Sequence, residues 1–88
     1  MRIQVTRTGG LAGIARRAEL DTSVRLDAPH VHALAREAMA AGLRTPPFGV
    51  PDGFHYEITV DGRTVHCADP KLTAAQHELV DLVLREGS

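Results

Sequence analysis

The stretch Phe54-His55-Tyr56-Glu57-Ile58-Thr59-Val60-Asp61-Gly62-Arg63-Thr64-Val65-His66-Cys67 decides the fold. Phe54, Tyr56, Ile58 and Val60 alternate with polar residues, the period of a strand with one buried face. Asp61-Gly62 is the pair suited to a two-residue type I′ turn, in which both central residues need positive φ. A turn of that length sets Ile58 opposite Val65 and Tyr56 opposite Cys67, all on one face. Glu57 then lies across from His66, and Thr59 across from Thr64, on the other face. A hairpin with one apolar face needs a cover, and the flanking segments supply it.

Downstream, Thr73 and Gln76 have capping-box spacing and open a helix running to Glu86. Leu72, Ala75, Leu79, Leu82 and Val83 form its buried stripe. Val80 and Leu84 lie off that stripe and are read as packing against a strand end or the other helix. Upstream, Asp27 is placed to cap a helix with Pro29 in its first turn, where a missing amide hydrogen costs little. Val31, Leu34, Ala35, Ala38 and Met39 repeat at helical spacing and define one apolar face. Gly42 is expected to end that helix in a left-handed conformation. Pro46, Pro47 and Pro51, with Gly49 and Gly53, mark an irregular connection.

A second hairpin occupies the start of the chain. Met1, Ile3 and Val5 alternate with Arg2, Gln4 and Thr6, and Gly9-Gly10-Leu11-Ala12-Gly13 breaks the pattern. From Ile14 to Asp21 the alternation resumes, with Ile14, Ala18 and Leu20 expected on the core side and Arg16 an exception there. The sum is an α+β fold over residues 1–88, read as a single domain. Its order is ββαββα, with a four-stranded antiparallel sheet and both helices packed on one face. Ile3, Val5, Leu20, Leu34, Tyr56, Ile58, Val65, Leu79 and Leu82 are expected in the core.

Composition removes several functions. The 88 residues carry 10 Lys plus Arg against 11 Asp plus Glu, a net charge of −1, with no polybasic run. That balance speaks against a nucleic-acid partner or an anionic-membrane partner. Arg2, Arg7, Arg16 and Arg17 are too few, and the polar sheet face has no aromatic platform for bases. No stretch approaches the about 20 apolar residues that span a bilayer. Cys67 is the one cysteine, so no internal disulfide forms, and a cytoplasmic setting is expected.

The reactive side chains do not assemble. His30 and His32, two apart on a helix, point about 200° from each other around its axis. His66 and Cys67 are adjacent in a strand and face opposite sides. His55 and His66, with Glu57 near, approach only on the open sheet face, where a solvated cross-strand pair is the ordinary reading. Cys67 sits among Tyr56 and Ile58, a setting that disfavours a thiolate. The glycine run opens no helix and lacks the Lys and Ser or Thr of a phosphate loop. No metal, cofactor or catalytic residue is assigned, and the chain is read as non-enzymatic.

The loop itself exceeds what joining two strands requires, and Leu11 stands near its tip. Two readings of it stay open on these residues alone: a loose connection with Leu11 folded back on the core, or a functional loop. Met1-Arg2-Ile3-Gln4-Val5-Thr6-Arg7-Thr8-Gly9-Gly10-Leu11-Ala12-Gly13-Ile14 resembles the opening of the emfourins, proteinaceous inhibitors of protealysin. The similarity continues through Phe54 to Val60, the Asp61-Gly62 turn and the closing helix. The sequence departs from the family pattern at Leu11, where a larger, aromatic residue is typical. The resemblance implies a metal-free protein that occupies the cleft of a thermolysin-like metallopeptidase. Within it Arg7, Thr8, Gly9, Gly10, Leu11, Ala12 and Gly13 would meet the enzyme. The alternative is a non-catalytic interaction module working through the same loop or a sheet edge.

Overall fold

The structure is a computed structural model that describes residues 1–10, 13–47 and 53–88. Its elements are β1 (Arg2–Gly9), β2 (Arg16–Asp21), α1 (Ala28–Ala41), β3 (Phe54–Val60), β4 (Arg63–Ala68) and α2 (Ala74–Glu86), with a 3-10 turn at Thr22–Val24. The strands make one four-stranded antiparallel sheet in the order β2-β1-β3-β4. The first hairpin thus joins the second through its β1 strand, and β1 and β3 are central. Ala18, Val5, Ile58 and Val65 form one row across all four strands, on the face that carries the core. Both helices bury their apolar faces in that same cluster. The nine residues expected in the core are all buried.

The decisive hairpin has the expected register: Ile58 opposite Val65, Tyr56 opposite Cys67, Glu57 opposite His66, and Thr59 opposite Thr64. Its turn has φ of 48° at Asp61 and 88° at Gly62. Nothing lies within 4 Å of where a Gly62 side chain would begin. Gly62→Val is therefore expected to cost about 1 kcal/mol or more through backbone strain alone. Chemical denaturation would register that loss. Inhibition, where it is measured, should fall only with the folded fraction.

Thr73 and Gln76 form the reciprocal capping box. Gln76 does more than cap: it is 1% exposed, and its Nε2 donates to the Ala38 carbonyl at 3.2 Å, tying α2 to α1. Val80 and Leu84 are buried, as their packing reading requires. Because α2 packs on α1 as well as on β1 and β2, two of its sides are apolar, and one stripe understates it.

Three local expectations are corrected. Asp27 precedes α1 but makes no capping hydrogen bond. Its carboxylate instead takes two bonds from Arg25, at 2.8 and 3.0 Å. That pairing holds Asp27 below its usual titration range. Gly42 is extended, at φ −75° and ψ 158°, and not left-handed. Glycine is needed there for space, since a Cβ would fall 2.2 Å from Val65 Cγ2. Ile14 lies outside β2 and is 71% exposed. The β1–β2 ladder stops at Arg7 opposite Arg16, so Ile14 has no partner strand to turn it inward.

Both sheet edges are occupied near their centres. Leu43 exchanges both backbone bonds with His66 on β4, and Ser88 does the same with Glu19 on β2. Among the described residues no helix is long and apolar enough to cross a membrane.

Candidate functional site

The β1–β2 loop leaves the sheet at the end where β3 begins and β4 finishes. Past Arg7, β1 loses β2 and pairs with β3 alone, Thr8 opposite His55 and Gly9 opposite Phe54. Gly9, Gly10 and Gly13 have φ of 93°, 74° and 63°. Gly10 rests on the Phe54 ring so closely that a Cβ would lie 2.6 Å from ring atom Cε1. The Gly10 amide donates to the Gly53 carbonyl, and the Gly13 amide to the Gly10 carbonyl, each at 3.3 Å. The base of the loop is therefore fixed by contacts that only glycine permits.

Of the seven residues expected to meet a partner, Leu11 and Ala12 lie outside the described residues. Thr8 is exposed, Arg7, Gly9 and Gly10 are half-buried, and Gly13 is exposed. Ile14, next to the loop, presents an exposed apolar side chain that the alternation pattern had assigned to the core. Its signal in the sequence is its position directly after Gly13, where strand pairing had still to begin. The exposed Val24 and Leu26 follow β2 and lie at the opposite end of the sheet.

The arginines around the loop are engaged within the chain. Arg7 occupies the core side of β1, opposite Tyr56, and its guanidinium carbon stands 4.4 Å from the centroid of the Phe54 ring. Arg16 donates to the Leu84 carbonyl, one of the carbonyls left open at the end of α2, where positive charge is favoured. Arg17 faces the side-chain amide of Gln4, whose oxygen accepts from it in the orientation that satisfies both groups. The site thus offers glycine backbone and apolar side chains in place of a ring of free cations.

The other reactive groups stay apart. Among the described residues no three His, Cys, Asp or Glu side chains are placed to hold a metal ion. Glu57 faces His66 across the hairpin, while His55 is registered with Ala68. Cys67 is buried, and its thiol is pushed up to about 11 by burial and then by the charge of Asp69. At neutral pH it is a thiol and not a nucleophile.

Comparison with known proteins gives a clear family and little else. The family model named emfourin matches residues 5–84, nearly the whole chain. No curated protein and no solved structure matches. The match takes in the glycine loop, β2, β3, β4 and α1 whole and most of β1 and α2, so it covers the site together with its scaffold. The chain therefore belongs to the emfourin family, a family of protease inhibitors, and is not itself an enzyme.

Proposed function

We propose that this chain inhibits a thermolysin-like zinc metallopeptidase of the protealysin type by seating residues Arg7 to Gly13 in its active-site cleft. The observation that supports this most is the loop itself. Its base is fixed on β3, while Ile14 projects an apolar side chain beside it. Pre-ordering a loop reduces the entropy lost on binding, and a few apolar side chains usually dominate such an interface. Thermolysin-like enzymes favour a bulky apolar residue just after the scissile bond, which suits Leu11. The inhibitor brings no metal of its own, and an intracellular setting is proposed with it, given the single buried thiol of Cys67.

The alternative of a module that pairs through a sheet edge is less well supported. Leu43 and Ser88 already take the backbone groups at the middle of both edges. A partner strand would have to displace them.

Titration of the protein against a protealysin-type peptidase with a small peptide substrate tests the proposal. Ile14→Ala is expected to weaken inhibition by about tenfold, the effect of losing partial burial of a large aliphatic side chain. Its thermal midpoint should match the wild type, because Ile14 packs on little. Unchanged inhibition would confine the interface to residues before Ile14.

A further inference from the structure

We infer that Phe54 and Arg7 are positioning residues of the inhibitory loop: the Phe54 ring, stacked by the Arg7 guanidinium, is the platform that sets Gly9 and Gly10 for the peptidase. The inference rests on the functional reading above; it adds Phe54, which need touch no partner, and gives Arg7 a role behind the loop as well as at its edge. Three observations converge on Phe54. Its ring lies where a Gly10 side chain would be, so the loop backbone lies directly on it. Arg7 stacks on that ring at 4.4 Å. The Phe54 backbone is held at both groups by Asp69, whose Oδ2 accepts from the Phe54 amide at 3.1 Å and whose amide donates to the Phe54 carbonyl at 3.0 Å.

Arg7 is an unexpected residue for its place. It follows Ile3 and Val5 on the core side of β1, where an apolar side chain would pack without desolvating a charge. Its Nε is buried and has no hydrogen-bond partner among the described residues. What the side chain does gain is the ring face, where a guanidinium binds through its charge and its flatness together. Tyr56, 6.2 Å from Phe54 between ring centroids, backs the ring from the next core-facing position. The stack fixes the ring, and the ring fixes Gly10.

The test compares the wild type with Phe54→Leu, Phe54→Tyr, Arg7→Met and the Arg7→Met/Phe54→Leu double variant. Hydrogen exchange at the Gly10 amide is read on the free protein, and association and dissociation rates are read with a protealysin-type peptidase. Phe54→Leu and Arg7→Met should each speed Gly10 exchange and slow association by about tenfold, the loss expected when the binding-ready conformation becomes a minor one. Dissociation of Phe54→Leu should stay near the wild-type rate, Phe54→Tyr should behave as wild type, and the double variant should exchange at Gly10 no faster than Phe54→Leu. Single variants that leave Gly10 exchange unchanged would overturn the platform, as would association slowed only in step with a lowered thermal midpoint. Should the wild type not inhibit, the functional reading falls alone, and Gly10 exchange still judges the platform.

Discussion

Ile58→Ala is expected to destabilise the protein by about 3–4 kcal/mol, the range for truncating a large aliphatic residue in a packed core. Ile58 is 0% exposed in the strand β3, with Val5 on one side and Val65 on the other. Neither neighbour strand can move in to close the gap, because each is bonded to β3 along most of its length. The helices cover the remaining side, and Ile58 shares one buried cluster with Val31, Leu79 and Val83, all fully buried. Domains of this length have about 4–13 kcal/mol in all, so the change removes a large part of it. A urea titration should show a lower midpoint with the same slope. A loss below about 1 kcal/mol would mean that Ile58 does not face the core and that the sheet register is wrong.

Leu11→Ala should show the opposite behaviour, a large loss of inhibition at almost constant stability. Burying a leucine at an interface is worth about 2 kcal/mol, which is some thirtyfold in dissociation constant. Most of the change should appear as faster dissociation. Leu11 lies outside the described residues, and the expectation rests on what brackets it. Gly10 is set on the Phe54 ring, Gly13 has nothing within 4 Å of a Cβ position, and Ile14 is exposed. Leu11→Phe should tighten inhibition where the enzyme pocket accepts a ring. If Leu11→Ala lowers the melting temperature and leaves inhibition intact, Leu11 is core packing and the site lies elsewhere.

The contrast between these residues shows what the sequence makes legible. The β3–β4 register is set by a two-residue turn, so Asp61-Gly62 alone fixes every cross-strand pair. The helical faces follow from spacing, and Val31, Leu34, Ala35, Ala38 and Met39 are buried as the periodicity requires. Features that depend on distant contacts are not written so locally. Ile14 continues an alternating pattern, but its exposure depends on where β1 leaves β2. Gly42 does end α1, as its place suggests, but it is extended and not left-handed, and what demands glycine there is room for Val65, a residue 23 positions on. Asp27 looks like a cap, yet the guanidinium of Arg25 competes for its carboxylate and wins with two bonds. The position of the candidate loop was visible in its glycines, whereas its platform joins Arg7, Phe54 and Asp69 from three separate segments. No periodicity brings those three together. Strand order does.

Titrating a protealysin-type peptidase with the wild-type chain and with Leu11→Ala, while following hydrolysis of a small peptide substrate, decides whether the loop inhibits. The wild type is expected to inhibit in competition with substrate, and Leu11→Ala, equally folded, to need about thirtyfold more protein for the same effect. Peptidase activity unmoved by the folded wild-type chain would contradict it, as would inhibition that survives Leu11→Ala and Ile14→Ala unchanged.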